Sequence, residues 1–189
     1  MPYTDTTAIV QVIGGIFIKN DLLDDTNYIF HEEDFPEDFH KILFGSIYNL
    51  HLAGVNKITI QTIEDYLREK PKSYGVYQSG RGSDYLKEIT EHTEIDSFDY
   101  YYKRMKKMTL MRMYNTVAGI DLRYLYDPDN IFDSAKKQRQ EDWLDSTPIE
   151  EIADIIDNKI MDIRLRYAEN ADQSAVNAGD CIDALLERL

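Results

Sequence analysis

Apolar residues recur every three or four positions along most of this chain, and strict alternation is scarce, so the pattern predicts an all-α protein. Thr6 to Lys19 carries Ile9, Val12, Ile13, Ile16 and Phe17 at helical spacing, with Asp5 or Thr6 placed to cap it. Gly14 and Gly15 interrupt that run. They imply close approach of another backbone or a break between two short helices, since each mid-helix glycine costs about 1 kcal/mol against alanine. After a polar connection over 20–27 with a short helical turn, Asp34-Phe35-Pro36 has the order of a cap followed by a first-turn proline. The helix it predicts runs to about Ala53, with Phe39, Ile42, Leu43, Ile47 and Leu50 inward and Gly54 as its stop. Thr59 to Glu69 reads as a shorter helix bearing Ile63, Tyr66 and Leu67, stopped by Pro71. The glycine-bearing stretch from Lys72 to Gly82 reads as a loop, and Ser83 or Asp84 caps a helix with Tyr85, Leu86 and Ile89.

From Ser97 the character changes. Gly119 is the single breaker between Ser97 and Tyr126, and Pro128 follows, so the pattern predicts one helix of about 30 residues, roughly 45 Å. Pro148 opens a second long helix, whose Ile149, Ile152, Ile156, Ile160, Ile163 and Tyr167 alternate by three and four. Two such helices predict an antiparallel hairpin with more apolar stripe than its own chain covers. Met105, Met108, Ile152, Ile156, Ile160 and Ile163 are the residues expected to carry self-association. The connection over 129–147 is long for a helix–helix loop. With Ile131, Phe132 and Trp143 among charges, it predicts a small extra helix. A polar stretch at 170–174 then reads as the core of a tether, and 178–189 as a short amphipathic helix whose Ile182, Leu185, Leu186 and Leu189 form a docking face. The expected organisation is a compact helical globular subdomain (1–96), the hairpin (97–169, with an insertion at 129–147), a tether (170–177) and a linker helix (178–189).

The net charge is −14. A chain that gripped nucleic acid on its own would gain affinity by releasing phosphate counterions with lysine and arginine, and this one repels phosphate at long range. Lys103, Arg104, Lys106, Lys107 and Arg112 are the local exception. They read either as a basic stripe for nucleic acid or an acidic partner, or as a helix face paired with nearby carboxylates, and the second reading is preferred. Tyr100, Tyr101 and Tyr102 could stack on bases, but in an acidic chain packing explains them better. The lone Cys181 leaves no internal disulfide and no cysteine-based zinc site. With no apolar run near the roughly 20 residues a membrane span needs and no basic leader, a cytoplasmic setting is expected.

Candidate chemistry is sparse. No phosphate-loop motif, nucleophile elbow or paired-histidine zinc motif occurs, so no catalytic, metal or nucleotide-binding residue and no cofactor is assigned. Gly80-Arg81-Gly82-Ser83 lacks the third glycine and the preceding strand of a phosphate loop. The cluster His31, Glu32, Glu33, Asp34, Asp38 and His40 fits no standard metal spacing, so capping residues and a packed His40 are expected there.

Taken in order, these features resemble the N-terminal domain of the bacterial and phage replicative hexameric helicases, the DnaB family. Ala8 and Val12-Ile13-Gly14-Gly15-Ile16 look like the opening helix with its Leu-Gly-Gly step. Asp34-Phe35, His40, Ile42, Phe44, Ile47, Leu50 and Gly54 resemble the next segment, and Ile58 to Leu67 and Tyr85-Leu86-Lys87-Glu88-Ile89 the helices after it. Tyr101, Met105, Arg112, Val117 and Ala118 match the long hairpin helix, and 178–189 looks like the linker helix before the motor domain. The chain departs from the pattern at Thr7 and Ile9, where acidic residues are usual, and in the insertion at 129–147. The resemblance implies a homodimer or hexamer built through the hairpin, a collar that binds primase or a helicase loader, and a linker helix that docks on a neighbouring motor domain. It implies an ATP-dependent helicase for a full-length member, with the motor absent from this chain: a truncation, or a stand-alone phage adaptor that captures host primase or helicase.

Overall fold

The computed structural model describes the backbone of residues 2–186 and the side chains of residues 2–168. Among the described residues there are eight α-helices, three 3-10 turns and no strands, so the all-α expectation holds. The chain divides into two units, Met1–Ser146 and Thr147–Leu189.

The first unit is built on α1 (Thr6–Ile18) and α6 (Phe98–Thr116). Asp5 caps α1 by accepting a hydrogen bond from the Ala8 amide at 2.9 Å. The apolar face of α1, with Ile9, Val12, Ile13 and Ile16 at 2% exposure or less, shares one core with Phe98, Tyr102 and Met105 of α6. The glycine pair does permit close approach, though to side chains rather than to backbone. A Cβ at Gly15 would lie 2.3 Å from the Phe98 ring, and one at Gly14 1.9 Å from the Thr93 hydroxyl. Around this pair sit α2 (Asp38–Leu52), α3 (Ile60–Arg68), α4 (Pro71–Ser79) and α5 (Gly82–His92). Gly54, at φ +79°, closes α2 as expected: its amide bonds the His51 carbonyl and the Val55 amide bonds that of Leu50. α7 (Ser134–Ser146) is the small helix anticipated in the long connection.

Three local expectations are corrected. Asp34 does not cap α2, which begins after Glu37; it closes a 3-10 turn over 32–34 and is fully buried. The stretch 72–82 is largely helical, because Pro71 sits at the first position of α4 and opens it. Its buried Tyr77 lies where a Cβ on Gly82 would strike the ring, so that glycine serves packing. α6 stops at Thr116, about 28 Å long instead of 45 Å. The β-branched pair Thr116-Val117 weakens the helix there, and Gly119 turns the chain at φ +69° while Asn115 donates to the Ile120 carbonyl. α6 itself contributes Phe98, Tyr102 and Met105 to the core of the first unit.

The second unit is dominated by α8 (Ile149–Leu186), whose backbone stays helical through the polar stretch read as a tether. Ala171, Gln173, Ala175 and Ala178 favour helix, and no proline interrupts it.

Candidate assembly surface

The basic stripe on α6 is consumed inside the first unit. Arg104, with a side chain 13% exposed, bonds the carboxylates of Asp5 and Glu141, and that of Asp145 at 2.7 Å. Burial alone would lower its pKa, but the hydrogen bonds to Asp5 and Glu141 outweigh it and hold the pKa above the ordinary arginine value. Lys106 reaches both oxygens of buried Asp34, at 3.0 and 2.9 Å, and Asp34 also accepts from the His31 amide at 2.8 Å. Lys107 donates to the last carbonyls of α7, at Leu144 and Asp145, and burial pulls its pKa down. Arg112 donates to the carbonyls of Tyr3 and Glu33 and to the Thr109 hydroxyl, with burial lowering its pKa against the opposing charge of Asp34. Lys103 pairs with Asp99 within its own helix. The stripe is therefore paired as preferred, but four of its members are largely buried and not a solvated face. They fasten the N-terminal segment, the 31–34 turn and α7 to α6.

The aromatic run behaves in the same way. Tyr102 is 9% exposed, accepts from the Ile29 amide at 2.8 Å, donates to the Ile29 carbonyl at 2.9 Å and packs edge-on against Tyr28 and Phe30. The Tyr100 hydroxyl donates to Asp145.

Among the described residues no group of three or more His, Cys, Asp or Glu side chains is arranged to hold a metal ion. His40 is instead a packed residue, 4% exposed, with Nε2 3.1 Å from the Tyr85 hydroxyl and Nδ1 3.5 Å from Glu37. Burial pushes its pKa below the ordinary 6.5, and Glu37 only partly opposes this. The unfolded chain thus takes up a proton at His40 before the folded chain does. Its contribution to stability is complete above pH 6.5 and is lost as pH falls through the lower folded value. Urea midpoints are expected to drop between pH 7 and pH 5.5, and His40→Gln is expected to flatten that slope; equal slopes would contradict it.

The residues expected to carry self-association divide into two sets. Met105, Met108, Ile152 and Ile156 are 3% exposed or less within the single chain, Ile160 is half-buried, and Ile163 is 53% exposed. Helical periodicity marks the face that will be covered but not what covers it. Beyond Ile160 the helix opens out: Met161, Ile163, Leu165 and Tyr167 are 45–77% exposed. Sequence reasoning did not single out Met161 and Leu165, which lie off the stripe. Ile156→Asp now becomes a test of stability rather than of assembly. The side chains of Ile182, Leu185 and Leu186, and Leu189 altogether, lie outside the described residues. Nor did sequence reasoning foresee the Asp34–Lys106 and Asp5–Arg104–Glu141 links, which join positions far apart in the chain and leave no local signal.

Comparison with known proteins agrees with this architecture. No solved structure matches the chain. It is 30% identical over 184 residues to the SPbeta prophage-derived uncharacterized protein YorI of Bacillus subtilis (strain 168), covering 97% of this chain and 36% of that relative's length. No helix among the described residues is long and apolar enough to cross a membrane. Residues 2–107, which hold α1 to α5 and the first half of α6, match the family described as DnaB-like helicase N terminal domain. With more than half its length matched and the all-α fold in place, the chain belongs to the DnaB-like helicase N-terminal domain family.

Proposed function

We propose that this chain is the assembly and partner-binding module of a replicative DNA helicase. It associates with copies of itself, docks a primase or helicase loader, and leads through α8 to a linker segment whose Ile182, Leu185, Leu186 and Leu189 dock on a neighbouring motor domain. The observation that carries the reading is the open run on α8. Four large apolar side chains within seven residues stand in solvent on a helix that continues to Leu186. A single helix that leaves so much apolar surface uncovered fits association with a second α8. The α6 cations are engaged within the chain and the net charge is strongly negative, which fits a protein partner better than a phosphate backbone.

Replacing Ile163 and Tyr167 together by Asp is expected to leave the circular dichroism unchanged, since both side chains are already exposed, and to reduce the mass in solution to 22.1 kDa. A mass unchanged from the parent chain would sink the α8 contact. A second reading, a phage adaptor of the same fold that captures host primase or helicase, is favoured by the prophage origin of the relative. A stable complex with purified host helicase, in place of primase, would select it.

A further inference from the structure

α7 is held far more lightly than the helices around it. Of its 13 residues only Gln140 and Leu144 are buried, and none belongs to the core cluster that α1 to α6 share. The stretch that leads into it, 117–133, has Leu122 as its single buried residue and leaves Val117, Tyr124, Ile131 and Phe132 51–95% exposed. What fastens α7 to α6 is polar. Glu141 and Asp145, one turn apart, accept from Arg104; Asp145 also accepts from the Tyr100 hydroxyl, and Lys107 donates to the carbonyls of Leu144 and Asp145. Tyr100, Arg104 and Lys107 stand at i, i+4 and i+7, so one face of α6 meets one face of α7. Beside the seam runs a cleft of about 250 Å³ lined by Thr4, Asp5, Tyr126, Lys137, Gln140 and Glu141. The Thr4 hydroxyl on its wall is buried without a hydrogen-bond partner among the described residues, so the seam is loosely matched.

We propose that α7 is a cover that opens as a unit ahead of α1 to α6, and that its opening bares a cationic face of α6 made of Tyr100, Arg104 and Lys107. A segment with few buried apolar groups opens at lower free energy than the core it rests on, and Leu144 is the one apolar side chain that α7 buries fully. A helix of 13 residues is marginal by itself, so α7 unfolds when it lifts and its amides meet water. Opening stops there because Arg104 keeps Asp5: the residue that caps α1 does not depend on α7 for its counter-charge. Closed, the chain presents these cations to its own carboxylates; open, it presents them to solvent. The cover lies beyond residue 107, outside the segment matched to the family, and the inference does not depend on association through α8.

Hydrogen exchange of the full chain, read by peptide mass spectrometry, is the test. Corrected for intrinsic rates, the slowest amides of 134–146 are expected to exchange at least about tenfold faster than those of 6–18 and 98–116. Glu141→Gln together with Asp145→Asn keeps the hydrogen-bond acceptors and removes the charge. That variant is expected to speed exchange over 134–146 about tenfold further and to leave 6–18 unchanged. Acetylation of Lys107 by acetic anhydride should rise with it, relative to Lys106, which stays paired with Asp34. Emission of Trp143, the single tryptophan of the chain, should change at lower urea in the variant than in the parent. Equal exchange across the three segments overturns the proposal. So does a variant that speeds all three together, or one in which Lys107 stays as protected as before.

Discussion

Asp34→Ala is expected to destabilise the protein by about 3 kcal/mol, the low end for breaking a buried ion pair. Asp34 is fully buried, and its two oxygens hold the Lys106 ammonium at 3.0 and 2.9 Å and the His31 amide at 2.8 Å. Alanine leaves that ammonium, on a side chain 19% exposed, without its counter-charge, and leaves an amide donor without an acceptor. The partial exposure of Lys106 lets water recover some of the loss, which is why the low end applies. Asp34→Asn keeps an acceptor for His31 and should cost less. Adding Lys106→Met to Asp34→Ala should return part of the stability, because the unpaired charge is then gone. Urea midpoints check all three, and an Asp34→Ala midpoint equal to that of the parent would refute the role given to this pair.

Gly15→Leu is expected to cost a similar amount, about 3 kcal/mol, by overpacking. The new Cβ would stand 2.3 Å from Cδ2 of Phe98, before any of the leucine beyond it is placed. Phe98 has little room to yield: it is 4% exposed and held edge-on by Tyr28 at 5.0 Å between ring centres. Either α1 and α6 move apart, opening the core they share, or Phe98 leaves its site. Gly45→Ala supplies the contrast, since a Cβ there meets nothing within 4 Å in the middle of α2. That change should stabilise the protein by up to about 1 kcal/mol through helix propensity. Equal midpoints for the two variants would show that the glycine pair is not a packing device.

Much of this fold is legible in its sequence, and the parts that are not share a cause. The cap of α1, the glycine stop of α2 and the helix at 134–146 follow from local chemistry, and local chemistry is what a sequence displays. Pro71 has two local meanings, stop or first residue, and only the packing of Tyr77 beneath α5 decides between them. Thr116-Val117 and Gly119 carried a break that the absence of proline concealed. The cations of α6 were legible as paired, yet their partners Asp5, Asp34 and Glu141 lie 37 to 99 residues away, so neither the pairings nor the burial could be read. The division of the apolar stripe was likewise hidden: Ile156 and Ile163 have the same side chain and the same spacing rule, but one is fully buried and the other 53% exposed. Periodicity assigns faces to a helix; long-range packing assigns their neighbours.

The central claim is that the open apolar run of α8 exists to be covered by another copy of the chain. Sedimentation equilibrium of the unmodified chain across a hundredfold range of concentration tests it most directly. The account predicts a mass that rises to a whole multiple of 22.1 kDa. A mass of 22.1 kDa at every concentration would contradict it.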